Sequence, residues 1–218
     1  MPLHQIQRFA RVDRQLRRLA VVVLERLFDL SPEQALAFSH AYRGHNVYLG
    51  GGAGVGKSHT LNAIKRHLPP GSYAVTASTG CAAAIIGATT LHSALGIGLA
   101  KSNAGTYVKK ILRDERSRFT LERLRSLRTL IIDEVGMLDG ETFDKAGEVV
   151  GGVRKNWIAG YHGLTLNQMP PQRWDNVQLI VCGDFMQLPP VQQASKGWVY
   201  ASRSWKELAF KNHIFQQI

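Results

Sequence analysis

A chain of 218 residues with a formal net charge of +11 and a pI near 10 is one large domain with or without appendages. At this length a domain buries roughly 70% of its unfolded surface, so neither a disulfide framework nor a structural metal is needed to stabilise it. An apolar share of 44% and a charged share of 20% exclude a wholly disordered chain. The longest apolar run, Leu19 to Leu24, falls far short of the about 20 residues of a membrane span. Cys81 and Cys182 lie 101 positions apart with no C-x-x-C and no zinc-spaced histidine pair, which argues against a disulfide scaffold and a structural metal site. No G-x-S-x-G elbow is present for serine hydrolysis. The positive balance calls for an anionic partner: nucleic acid, nucleotide or a membrane surface.

His4 to Phe28 reads as one amphipathic helix, an N-terminal appendage over 1–29. Ile6, Phe9, Val12, Leu16, Leu19, Val23 and Leu27 share one face, and Arg8, Arg11, Arg14, Arg17 and Arg18 the other. It serves either as a terminal helix packed on the core or as a mitochondrial presequence, although Asp13 and Glu25 weaken the second reading. Ser31-Pro-Glu-Gln34 opens a second helix, with Ser31 as N-cap, Pro32 at the first position and Gln34 placed for a capping box. Val47 to Leu49 is a buried strand ending in glycines, and a helix from Ser58 to His67 stops at Pro69-Pro70-Gly71.

Further along come a strand at Tyr73 to Ala77, a helix near Ala82, and basic surface helices at Tyr107 to Leu112 and Leu121 to Leu127. A buried strand follows at Leu130 to Ile132, then a helix at Glu141 to Val153 and another buried strand at Val177 to Cys182. The pattern closes with a helix at Trp205 to Phe210 and a strand at His213 to Ile218. Short continuous apolar strands alternating with helices predict an α/β fold, a parallel sheet with helices on both faces and sites at the C-terminal strand ends. Residues 157–176, with Gly, Pro-Pro, Asn and Gln, read as an irregular insertion. Trp157, Tyr161 and Trp174 are there either for base stacking or for surface packing. Lys101 to Arg128 carries nine basic and three acidic residues, either a solvated face or a track for phosphates.

Three segments carry chemistry. Gly51-Gly52-Ala53-Gly54-Val55-Gly56-Lys57-Ser58 matches G-x-x-x-x-G-K-[ST] between a strand and a helix, the context of a phosphate-binding loop in a P-loop NTPase. Its backbone N–H groups and the helix N-terminus suit phosphate. Lys57 neutralises β- and γ-phosphate charge, and the Ser58 hydroxyl completes a Mg²⁺ shell. Leu130-Ile-Ile-Asp133-Glu134, about 75 residues later, delivers two carboxylates: Asp133 for Mg²⁺ and Glu134 as general base or water-positioning group. Gly183-Asp184-Phe-Met-Gln187-Leu-Pro189-Pro190 ends a strand. It is either a polar turn stopped by proline or a γ-phosphate sensor, Gln187, on a loop that Asp184 holds to the metal site.

Together with Ala77-Ser-Thr-Gly-Cys-Ala-Ala83, Thr90-Leu-His-Ser93 and Asp133-Glu134-Val-Gly-Met, these segments make the chain from about Leu30 onward resemble the Pif (petite integration frequency) family of superfamily-one DNA helicases. The resemblance implies a RecA-like motor domain over 30–218 that uses ATP and Mg²⁺ to move 5′ to 3′ along single-stranded DNA. It implies unwinding of duplexes and junctions, with roles in repair, recombination and telomere maintenance. Such a protein would act in the nucleus or mitochondrion, without membrane or secretion, as a monomer or as a dimer on DNA. It further implies that Gln34 reads adenine, a role compatible with the capping box, and that His59 adjoins the nucleotide loop. Ser78, Thr79, Gly80, Thr90, Leu91 and His92 would touch DNA, with His92 open to a second reading as a core histidine. Family members continue into a second RecA-like domain that supplies arginines to the γ-phosphate. Phe215-Gln216-Gln217 lacks that arginine, so this sequence is expected to be part of a longer motor. A nucleotide- and DNA-binding module that no longer hydrolyses, or another P-loop ATPase such as a ring-forming loader, stand as alternatives.

Overall fold

A computed structural model of the chain describes residues 22–23, 28–162, 173–187 and 197–216. Six strands form one parallel sheet: β1 (Val47–Gly50), β2 (Tyr73–Ala77), β3 (Thr89–Thr90), β4 (Thr129–Asp133), β5 (Gln178–Gly183) and β6 (Lys211–Ile214). Their order across the sheet is β3-β2-β4-β5-β1-β6. The helices are α1 (Pro32–Tyr42), α2 (Lys57–Lys65), α3 (Gly80–Ile85), α4 (Leu91–Leu95), α5 (Ala104–Arg113), α6 (Arg118–Ser126), α7 (Gly140–His162) and α8 (Arg203–Glu207).

The central strands are continuous apolar runs because both sheet faces are covered. Tyr48, Leu130, Ile132, Leu179 and Val181 point into one core with residues of α4 to α7. Val47, Leu49, Ile131, Ile180 and Cys182 point into the other with α1, α2 and Phe215. Alternation along each strand thus divides one apolar sequence between two cores. Each such side chain withdrawn from water contributes about 1.5–3 kcal/mol before the entropy of ordering is deducted.

Local signals act as expected at the start of α1. Ser31 is the N-cap, its hydroxyl accepts from the Gln34 N–H, Gln34 Oε1 accepts from the Ser31 N–H at 2.9 Å, and proline occupies the first turn. Of the expected His4–Phe28 helix, residues 1–21 and 24–27 lie outside the described residues. Val23, placed on its apolar face, is 53% exposed, while Phe28 stacks on Phe38 at 5.2 Å between ring centroids.

Among the element boundaries that differ from the expected ones, three have a visible cause. Helix α7 runs on to His162, through the first part of the expected insertion, because the sequence offers no proline until Pro170. Residues 163–172 lie outside the described residues. The helix expected at Trp205 to Phe210 begins two residues earlier, since the Asp144 carboxylate accepts from the Arg203 and Ser204 N–H groups and the Ser202 hydroxyl caps Trp205. Strand β6 ends at Ile214 rather than Ile218, because its ladder partner β1 has only four residues, Val47 to Gly50. Short β3 and its register with Thr76 and Ala77 are absent from the sequence reading; two threonines carry no periodicity.

Helix α1 and edge strand β6 are joined by histidines. His40 Nδ1 and His213 Nε2 are 2.9 Å apart, and the His45 ring lies edge-on to His40. Burial first, then the positive charge of His213, His45, Arg43 and Lys211, lowers His40 from 6.5 to about 4. His213 is also lowered by burial, against Glu33, which raises it. A base whose folded pKa is depressed takes up its proton in the unfolded chain first, so stability is complete above about pH 6.5 and declines as pH falls toward about 4. The melting temperature of the protein is expected to fall over that window, and His40→Gln to flatten the decline. An unchanged slope in His40→Gln would remove the histidine pair as its source.

Candidate active site

Three adjacent strands, β4, β5 and β1, deliver their C-terminal ends to one place. Gly50 stands in register with Gly183, so the phosphate loop after β1 and the Asp184–Gln187 turn after β5 leave the sheet side by side. Asp133 ends β4 one strand further.

The loop from Gly51 to Ser58 closes onto α2. Gly56 is the N-cap of α2 with φ +89°, a conformation that a side chain disfavours. A Cβ there would also collide with the Gln34 amide, so the capping-box glutamine is packed directly on the last glycine of the loop. Lys57 Nζ donates to the carbonyls of Gly51 at 2.7 Å and Gly52 at 2.6 Å, which curls the loop around its own cation. Ala53 and Ser58 are exposed, and Val55 is half-buried against the second core. His59 Nε2 lies 2.9 Å from the Asp29 carbonyl oxygen, so its ring ties α2 to the segment before Ser31.

Asp133 and Glu134 face this loop. Burial raises the Asp133 carboxyl above the usual range, opposed by the Glu134 N–H that it accepts and by Lys57. Burial also raises Glu134, with the Asp133 and Asp184 charges adding to it and Lys57 opposing. Two carboxylates held together with one lysine as counter-charge are short of positive charge, and a divalent cation fits that deficit. Among the described residues no three His, Cys, Asp or Glu side chains converge on a metal. Asp133 and Ser58 would therefore hold Mg²⁺ only with phosphate oxygens completing its shell, the usual mode for that ion.

Backbone packing locks the two loops that follow these strands. A Cβ on Gly136 would sit 2.7 Å from the Asp184 carbonyl oxygen, and one on Gly183 would sit 3.0 Å from the Val135 nitrogen. Only glycines allow the Glu134–Gly136 turn and the Gly183–Asp184 corner to touch. Tyr48 supports the corner from below, donating its hydroxyl to the Gly183 carbonyl at 3.2 Å and stacking on Phe185 at 5.1 Å. Burial pushes the Tyr48 hydroxyl up to about 12, so it stays a donor. The supporting role of Tyr48 and the close approach at Gly136 are not legible in the sequence, because an apolar strand reads its tyrosine as core and the glycine of Asp133-Glu134-Val-Gly-Met does not say which strand lies beside it.

Not every expected residue has its expected role. One Asp184 oxygen accepts from the Met186 N–H at 2.9 Å, so this carboxylate shapes its own turn. Gln187 is exposed on that turn, and its N–H donates to the Asp184 carbonyl at 3.4 Å. Pro189 and Pro190 lie outside the described residues. Leu91 is fully buried in the first core: it is a core residue of α4 and is not available to DNA. Ser78 donates its hydroxyl to the Glu134 carbonyl at 2.7 Å, which places its proton in the active-site turn. Thr79 and Thr90 cap α3 and α4, accepting from Ala82 and Ser93. Gly80 is exposed, and His92 is half-buried on α4 with contacts of its own. Trp174 is 1% exposed, packed against Phe143 and over Gly147, which removes it from the residues available for base stacking. The side chains of Trp157 and Tyr161 lie outside the described residues.

The basic stretch forms α5 and α6. Most of its cations are exposed, but Arg123 is half-buried and donates to the Ala94 carbonyl, and Arg118 pairs with Glu122 at 3.0 Å. Among the described residues no helix is long and apolar enough to cross a membrane.

Known proteins resemble this chain over most of its length. A family model described as PIF1-like helicase matches residues 29–215. The ATP-dependent DNA helicase PIF1 of Xenopus laevis is 40% identical over 181 residues, which is 82% of this chain and 26% of that protein. The corresponding protein of Saccharomyces cerevisiae (strain YJM789) is 40% identical over 186 residues, 82% of this chain and 20% of that protein. The crystal structure of Pif1 helicase from Candida albicans superposes with a TM-score of 0.73 at 36% identity, covering 87% of this chain and 40% of that one. The chain thus spans about a quarter of the length of these curated relatives, and its sheet is the RecA-like sheet of those helicases. Matched by that family model over residues 29–215, a span that contains the phosphate loop, the Asp133–Glu134 strand end and the Gln187 turn, the chain belongs to the PIF1-like helicase family.

Proposed function

We propose that the chain is the first motor domain of an ATP-dependent DNA helicase that moves 5′ to 3′ on single-stranded DNA and opens duplexes and junctions. The observation that carries this reading is the convergence of Lys57, Asp133 and Glu134, with the Asp184–Gln187 turn leaving the neighbouring strand beside them. The relatives' printed function, ATP-dependent DNA helicase, supports it.

In this reading the N–H groups from Gly52 to Ser58 wrap the phosphates. Lys57 exchanges the carbonyls of Gly51 and Gly52 for β- and γ-phosphate oxygens. Mg²⁺, which Ser58 and Asp133 would hold, would supply charge for the phosphoryl oxygens. Glu134, beside the cation-binding Asp133, takes the proton of the attacking water. Gln187 reports the γ-phosphate. The Gln34 amide, with one Oε1 lone pair given to Ser31, offers its second lone pair and its N–H₂ to the adenine N6 and N7. Thr79, Gly80 and Thr90, with the cations of α5 and α6, contact DNA phosphates. Its basic amphipathic N-terminal sequence favours the nucleus or mitochondrion, and it acts as a monomer or a dimer on its substrate.

The test is ATP turnover with and without oligothymidylate, beside Lys57→Ala. Turnover stimulated by the oligonucleotide and lost in Lys57→Ala is expected. Nucleotide affinity equal in wild type and Lys57→Ala would overturn the reading. Because the DNA contacts are cationic, oligonucleotide affinity is expected to fall steeply between 50 and 200 mM salt; a flat log–log plot would remove α5 and α6 from the interface.

A further inference from the structure

We propose that Ser78 is a positioning residue for hydrolysis, holding the backbone of Glu134 rather than gripping DNA. The inference rests on the hydrolytic reading above. Glu134 is in the left-handed region, φ +52°, a conformation that costs a non-glycine residue free energy and persists only where its surroundings impose it. The Glu134 carbonyl accepts two bonds, from the Ser78 hydroxyl at 2.7 Å and from the Met137 N–H at 3.1 Å. The Ser78 N–H donates to the Asp133 carbonyl at 3.1 Å, continuing the β2–β4 ladder in which Ala77 stands opposite Asp133. Ser78 therefore fixes the peptides on both sides of Glu134, the one before it through its main chain and the one after it through its side chain.

A carboxylate that must meet a water in line with the γ-phosphate depends on the direction of its Cα–Cβ bond, and that direction follows the peptide plane that Ser78 holds. The Met137 bond closes a local turn and travels with it; the Ser78 bond ties the turn to a different strand. Ser78 is also the residue before Thr79 and Gly80, so a change in that segment reaches the hydrolytic carboxylate through one residue of chain and one hydrogen bond. A serine that gives its only proton to a carbonyl keeps no proton for a phosphate, which separates this role from a DNA contact.

The experiment compares Ser78→Ala, Ser78→Val and Ser78→Thr, measuring kcat and KM for ATP at saturating oligothymidylate together with the oligonucleotide Kd. Thermal melts by circular dichroism identify folded variants; threonine and valine have the same shape and differ in the hydroxyl. The expected result is a kcat lowered about tenfold in the alanine and valine variants. KM and Kd should move less than about twofold, and threonine should restore kcat. A loss confined to the oligonucleotide Kd would return Ser78 to the DNA interface and overturn the proposal, as would kcat unchanged in Ser78→Val. Absence of turnover in the wild-type protein with DNA present would instead sink the hydrolytic reading, and the proposal with it.

Discussion

Glu134→Gln is expected to lower turnover at saturating DNA by about 10²- to 10⁴-fold while ATP affinity changes no more than a few-fold. The substitution keeps the size and the hydrogen-bonding reach of the side chain and removes its capacity to take a proton. Its neighbours are arranged so that this loss stands alone. Asp133, beside it, is the carboxylate assigned to the cation, and Lys57 is assigned to the phosphates. The Glu134 backbone is fixed by Ser78 and Met137 whatever the side chain. Removing one of two adjacent carboxylates also relieves a mutual repulsion, so binding should be preserved or improved. The measurement is a pair of titrations, turnover and nucleotide Kd, on wild type and Glu134→Gln. Affinity lost in step with turnover would show that Glu134, and not Asp133, holds the cation, and the two assignments would exchange.

Arg154→Ala is expected to cost about 3 kcal/mol of stability and to lower the melting temperature by roughly 6–12 °C. Arg154 of α7 is largely buried and has four acceptors around it, three of them sharing the two protons of Nη1. Its Nε donates to Asp175 Oδ2 at 3.0 Å, and its Nη1 donates to the carbonyls of Leu124, Arg125 and Leu127 at 2.8–3.2 Å. Those carbonyls are at the C-terminal end of α6, where no following turn satisfies them, so one guanidinium caps a helix and pairs with a carboxylate that is itself 8% exposed. Truncation leaves both the carbonyls and the Asp175 charge without a partner, which costs more than the pair contributes when intact. Arg154→Lys, with one compact charge instead of a planar fork, should fall between wild type and alanine. Arg154→Met with Asp175→Asn should recover part of the loss. A melting temperature of Arg154→Ala within about 2 °C of wild type would show that water reaches these groups and satisfies them.

The parts of this molecule legible in the sequence are those governed by local pattern. Tyr73 to Ala77 is a strand at its expected bounds. The central strands at Leu130 to Ile132 and Val177 to Cys182 are displaced by one residue or extended by one at each end, since continuous apolar runs between polar turns leave little choice. Ser31 and Gln34 form their capping box because both partners lie within three residues. The phosphate loop is specified by glycines at fixed spacing and needs no distant partner. Element ends set by distant partners were not legible: β6 stops where β1 stops, and α8 begins where Asp144, 59 residues away from Arg203, accepts its first N–H.

The same division runs through the active site. The residue types for phosphate, cation and proton transfer were determined by the sequence alone, because each is a short motif at the end of an apolar strand. Which of them meet, and what holds them, was decided only by the tertiary structure. Strand order β4-β5-β1 sets three motifs side by side that are scattered over more than 130 residues. Gly136 touches Asp184 only because β4 and β5 are neighbours. Ser78 reaches Glu134, and Leu91 turns into the core, through pairings 56 residues apart and through packing that no local window contains. A hydrogen bond or a close contact between distant residues depends on the path of the backbone between them, and periodicity carries no information about that path.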